Sequence, residues 1–146
     1  MLILFATILN LCIMPTELPQ ASVLLTIENI REVKGVVRVA LFNQEAGFPQ
    51  EEAIYKSWVV EVNSTQDLVL PIPDLTPGWY ALAVYHDLDN NGKMAKNLWG
   101  IPQEPFGFSR NQPAKWRVTR FDEASFTLED EEPLSIRINL SYWDEL

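Results

Sequence analysis

A single cysteine, Cys12, and a single histidine, His86, are all the sequence offers of the two residue types that most often hold zinc or activate a nucleophile. That scarcity excludes a Cys/His zinc cluster and a disulfide within the chain, and leaves little for a catalytic triad. Positive charge is also short. Eleven Lys and Arg face 20 Asp and Glu, for a net charge of −9 and a pI near 4.5. A nucleic-acid binder needs a basic footprint, so that class is set aside. No apolar run approaches the ~20 residues of a membrane-spanning helix, and no long helical stripe appears. The 146 residues are 47 % hydrophobic and 21 % charged, which suits one globular domain with a real core. Ten prolines, six glycines and 11 % aromatics point to strands and turns.

The apolar run that does exist covers residues 2–14, LILFATILNLCIM. Its length matches the core of a signal peptide, and polar or small residues follow from Pro15 to Ala21. Residues 1–21 therefore read as a signal peptide cleaved near Ala21, and residues 22–146 as the mature domain. No Lys or Arg precedes the run, and Pro19 fits poorly into a small-residue cleavage site. Lipidation at Cys12 is the variant reading, although Asn10 and Leu11 are poor matches to the small residues such a site needs. A buried N-terminal strand or helix is the other. Export to the periplasm or beyond is the expectation, with no membrane span after processing. A mature chain without cysteine suits an oxidising compartment, because nothing can mispair.

Beyond residue 21 the dominant period is two. Val23, Leu25 and Ile27 alternate with Leu24, Thr26 and Glu28, as in a strand with one better-buried face. Residues 36–42, VVRVALF, follow the Lys34-Gly35 turn, so the first two strands read as a hairpin. Acidic residues between Pro49 and Tyr55 suggest a short helical turn. Further strands are expected over 57–62, 68–72, 78–87, 121–129 and 134–142. Residues 78–87 are apolar on both faces, the mark of a central strand. From Asp87 to Pro113 no period is sustained, but Leu98, Trp99, Ile101, Phe106 and Phe108 make this too apolar for a solvated tail. The fold class is all-β: a single antiparallel β-sandwich of about seven strands, immunoglobulin- or transthyretin-like, with a long packed loop.

Four constellations bear on chemistry. Leu75-Thr76-Pro77-Gly78-Trp79-Tyr80 leads into the central strand like the corner of sandwich domains, where a tyrosine hydroxyl bonds back to the backbone. Asp87-Leu88-Asp89-Asn90-Asn91-Gly92-Lys93 carries side-chain oxygens at alternate positions before a glycine, the opening of a loop for a hard cation such as Ca²⁺. Asp87, Asp89 and Asn91 would supply side chains, and Lys93 its carbonyl. The pattern then breaks, with Leu98 in place of a bidentate Glu and no oxygen at Ala95. Asn97, Glu104, Asp122 or Glu123 would have to complete the shell. The alternative is a plain turn, since Asn-Gly favours a type I′ reversal without any metal. His86 directly precedes this loop. It reads as a histidine bonded at the core edge, or as a general base beside Asp87 with Ser109 as nucleophile. Lastly Trp99, Phe106, Phe108 and Trp116, interleaved with Glu104, Arg110 and Asn111, either stack on a sugar or peptide or simply cover the sandwich.

The run GWYALAVYHDLDNNGKMAKNLWGIPQEPFGFSRN, residues 78–111, resembles the signature of DUF2141, a bacterial family of exported proteins of unknown function. FDEASFTL, residues 121–128, looks like a second, weaker signature of that family. The resemblance implies a small secreted or periplasmic β-sandwich, similar to transthyretin-like and carboxypeptidase-regulatory-like domains, and implies no activity. Ala95 departs from the pattern, since an acid usually follows the turn there. The reading is thus an exported, non-enzymatic binding or accessory module with a weak Ca²⁺ loop, its partner a glycan or a cell-envelope protein. The alternative is a small hydrolase centred on His86 with Asp87 and Ser109; a purely structural accessory module is a third.

Overall fold

The computed structural model describes residues 20–111, 117–129 and 132–145. The apolar run at residues 2–14 with Cys12, and Trp116 of the aromatic set, lie outside the described residues. Among the described residues there are eight strands: β1 (Ala21–Glu28), β2 (Val36–Phe42), β3 (Lys56–Glu61), β4 (Leu68–Leu75), β5 (Gly78–Asp87), β6 (Phe106–Phe108), β7 (Phe126–Leu128) and β8 (Leu134–Asn139). A four-residue helix, α1 (Phe121–Ala124), precedes β7, and a 3₁₀ turn at Glu51–Ala53 falls within the acidic stretch that suggested it.

The strands form two sheets, one ordered β4-β1-β8 and the other β3-β2-β5-β6, with β7 paired to the start of β5. The core lies between them. Val23, Leu25, Ile27, Ile72, Ile136 and Ile138 come from the first sheet, and Val37, Val39, Leu41, Tyr80, Leu82 and Val84 from the second. These are the alternate positions that period two assigns to a buried face. Val84 is buried against this cluster. Val84→Ala is expected to cost about 2 kcal/mol in urea unfolding, from lost burial and the cavity left behind. A cost within experimental error of zero would place Val84 outside the core.

Four expectations need correction. β1 and β2 are not a hairpin: β1 pairs with β4 and β8, β2 with β3 and β5. Each strand has one apolar face, and stacking those faces across the core buries both. β1 and β8 run parallel within an otherwise antiparallel arrangement, since the long path between the first and last strands imposes no hairpin direction. The fourth strand continues through Pro71 and Pro73 to Leu75. β4 is an edge strand, and both prolines are exposed, where a missing N–H costs no ladder bond. Finally, residues 121–129 begin as a helical turn. The Glu123 carboxylate accepts the Arg120 N–H at 2.9 Å, a local bond that closes the turn before β7 begins.

The Tyr80 corner forms as the sequence suggests, its hydroxyl donating to the Thr76 carbonyl at 2.7 Å. The long segment after β5 contains β6, too short to show a period. β6 joins the two sheets, because Phe106 and Ser141 exchange backbone bonds at 3.2 and 2.8 Å. With Tyr80, Leu82, Val84 and His86 facing the core, Ala83, Tyr85 and Asp87 face outward, alongside Arg38 and Ala40 of β2.

Candidate functional site

Asp87 ends β5 with a fully buried carboxylate on the outer face of the five-stranded sheet. Arg38, two residues along the adjacent strand on the same face, donates from Nε to Asp87 Oδ2 at 2.6 Å. The chain then reverses over the carboxylate. Asn91 N–H donates to Asp87 Oδ1 at 3.1 Å and Gly92 N–H to Oδ2 at 2.9 Å. Gly92 has φ 79°, the left-handed conformation the reversal requires, and Asn90 beside it has φ 53°. Burial alone would raise the Asp87 pKa. The Arg38 guanidinium and the two N–H donors outweigh it and hold the carboxyl below its ordinary value.

Glu104, 17 positions on, completes this base. Its buried carboxylate accepts Leu88 N–H at 2.9 Å and Ala95 N–H at 3.0 Å, clamping both ends of the loop. Asp89 sits in front, exposed, accepting Asn91 Nδ2 at 2.9 Å. One oxygen each from Asp87, Asp89 and Glu104 lies within 4.8 Å of the others. Oxygens bound at about 2.3–2.6 Å to one calcium ion stand at such separations. The donor set is therefore all hard oxygen, with Arg38 as its resident positive charge. Asn91 turns elsewhere: its Oδ1 accepts Lys93 N–H at 2.8 Å, a local turn bond, so Asn91 and Lys93 close on each other. Asp122 and Glu123 pair with Arg120 and Arg117 near α1 and do not reach the loop.

A small hairpin stands on this base. Lys96 and Pro102 form an antiparallel bridge, and Gln103 N–H donates to the Ala95 carbonyl at 2.8 Å. Asn97 pins the tip, its Oδ1 accepting Trp99 N–H at 2.9 Å and Ile101 N–H at 3.0 Å. Leu98 and Trp99 project from that tip, 102 % and 84 % exposed.

The other candidates are engaged separately. Phe106 and Phe108 lie on the outer face of β6, and Phe108 meets Phe48 edge-on at 5.9 Å. Arg110 Nη1 donates to the Asp122 carbonyl at 3.4 Å. Asn111 stitches the chain to β8, donating to the Arg137 carbonyl at 3.0 Å and accepting Asn139 N–H at 2.8 Å. His86 is buried, with Nε2–H donating to the Lys34 carbonyl at 2.6 Å. Ser109 is buried beside Leu82, accepting its N–H at 2.9 Å and donating to the Ala124 carbonyl at 2.5 Å. His86 lies four steps along β5 from Leu82, about 13 Å at the rise of an extended strand. No His86–Ser109 dyad is assembled, and both side chains serve the fold.

A family model described as "Uncharacterized protein conserved in bacteria (DUF2141)" matches residues 25–136. The chain belongs to this family. Neither the curated proteins nor the solved structures give a match. The DUF2141 match spans β1 to β8 and contains the acidic base, the hairpin and Arg38. Arg38 is the residue that motif reading passes over. Its signal was its isolation, as the single charge in VVRVALF, on the outward face of a strand whose partners are apolar. No helix of the described residues is long and apolar enough to cross a membrane.

Proposed function

We propose that this DUF2141 domain is an exported, non-enzymatic binding module that meets its partner through the 95–103 hairpin, with weakly bound Ca²⁺ stiffening the hairpin's base. One observation carries the reading: Leu98 and Trp99 are held in solvent on a hairpin whose backbone is tied down by Asn97 and Glu104. Exposing two large apolar side chains on a rigid support disfavours solubility, and an interaction site is the usual reason for it. A glycan, a cell-envelope protein and other envelope components all fall within this reading. It is tested by capture from a cell-envelope extract with the wild type and with Leu98→Ser/Trp99→Ala. The double variant is expected to lose the captured component while melting at the same temperature, and equal capture by both would overturn the reading.

The calcium part has its own support, in the three carboxylate oxygens within 4.8 Å of one another. Affinity is expected to be weak, in the ~10⁻⁴–10⁻³ M range of extracellular modules, because no bidentate Glu follows the turn and Arg38 competes for Asp87. Ca²⁺ at a hundredfold excess over its dissociation constant stabilises the fold by about 2.7 kcal/mol. Asp89→Ala is expected to abolish that increment and leave stability in chelator nearly unchanged, since Asp89 is exposed and its carboxylate is engaged within the turn, by Asn91. A melting temperature indifferent to millimolar Ca²⁺ would leave the loop as a self-bonded turn with Arg38 as its cation.

A further inference from the structure

We infer that the 95–103 hairpin docks on a lipid surface bearing anionic headgroups, with Leu98 and Trp99 entering the interface and Lys96, together with Lys93 of the turn that precedes the hairpin, contacting the headgroups. This rests on the reading of the hairpin as the contact element and names its partner.

Three observations favour lipid over the other occupants. The first is shape. Leu98 and Trp99 stand on a projection with every face of Leu98 open to solvent. A two-residue tip buries far less than the roughly 1,200 Å² of a stable protein interface, whereas a bilayer interface takes single tryptophan and leucine side chains without a shaped pocket. The second is polarity. A sugar site needs hydrogen-bonding side chains around its aromatic platform, and the neighbouring Asn97 has spent its oxygen on Trp99 and Ile101 N–H.

The third is charge. Residues 93–103, KMAKNLWGIPQ, hold two lysines and no acid, in a chain whose net charge is −9. Both lysines are exposed, and neither forms an ion pair with a described residue. An anionic surface would repel the acidic body and attract the two lysines beside the tip, so the charge distribution favours the orientation that leads with the tip. Met94 and Ile101, half-buried behind the tip, continue the apolar surface inward.

The test is flotation of the full chain with vesicles of phosphatidylglycerol and phosphatidylcholine, against phosphatidylcholine alone, in excess chelator so that no calcium bridge contributes. The apolar run at residues 2–14 is common to every variant, so only differences between variants are read. The wild type is expected to partition onto the anionic vesicles more strongly, with binding that weakens as salt is added. Leu98→Ser/Trp99→Ala and Lys93→Gln/Lys96→Gln are each expected to lower partitioning on the order of tenfold. Trp99→Phe should remove the fluorescence quenching produced by brominated lipid. Partitioning of the wild type that does not depend on phosphatidylglycerol, or that both double variants retain, would overturn the inference. If the vesicles fail while capture from envelope extract still depends on Leu98 and Trp99, the lipid inference falls and the hairpin reading stands. If neither depends on them, both fall.

Discussion

Gly35→Ala is expected to lower stability by about 4 kcal/mol. Gly35 sits at φ 64° in the turn that feeds β2, where an L side chain is strained. Strain is the smaller part. A Cβ at this position would overlap the Asp87 carbonyl oxygen and stand 2.8 Å from that of Leu88. Both are backbone atoms, so no side-chain rotation relieves the overlap. The start of β2 would have to move off the end of β5, away from the Val36–Asp87 pairing. That movement takes the Lys34 carbonyl from buried His86, and it pulls Arg38 from Asp87. Gly35→Asn separates the two causes. Asparagine tolerates the left-handed region, as Asn29 does here at φ 64°, but carries the same Cβ. Denaturant unfolding is expected to find the asparagine variant no more stable than the alanine one; recovery of most of the loss would show that backbone strain, not the overlap, dominates.

The same turn shows what period two can and cannot reveal. Alternation separates the inward residues of β1, Val23, Leu25 and Ile27, from the outward ones, because burial acts on each side chain separately. It is silent on which strand lies beside which, so β1 and β2, adjacent in sequence, read as a hairpin although they belong to opposite sheets. β6 was illegible for a simpler reason: three residues, Phe106–Phe108, show no period. In FDEASFTL the apolar positions allowed a strand, and Asp122 and Glu123 in the first turn were the overlooked helix signal. In the candidate site, Asp87, Asp89 and Gly92 were visible because turn chemistry is local. Arg38 and Glu104 lie 49 and 17 positions from Asp87, and only sheet pairing and the hairpin bring them to it. Glu104 reads from sequence both as a residue able to reach the loop and as a member of the aromatic ligand set; its bonds to Leu88 and Ala95 give it the first role.

Arg38→Met is expected to cost about 3 kcal/mol at neutral pH, because it leaves the Asp87 carboxylate buried without its cation. The Asp87 side chain has no exposure, and that of Arg38 keeps 27 %, so water reaches one end of the pair and trims the cost below that of a fully enclosed one. The pH dependence identifies the cause. In the wild type the Asp87 pKa lies below its unfolded value, near 3.9. Its stabilisation is therefore complete above that value and is lost as pH falls through the lower, folded one. Without the guanidinium, burial is less well opposed and the folded pKa moves up. The stability gap between wild type and variant is then widest at neutral pH, narrows as Asp87 takes up its proton in the variant, and closes only as pH falls through the lower, folded wild-type value. Adding Asp87→Asn removes the buried charge and keeps one acceptor for the Gly92 or Asn91 N–H. The double variant is expected to recover part of the loss at neutral pH and little at low pH. Arg38→Met is also expected to bind Ca²⁺ more tightly than the wild type, since no resident cation competes for Asp87. A stability gap that stays constant from neutral pH to pH 3 would mean that Arg38 acts through packing of its stem across the sheet, and not through its charge.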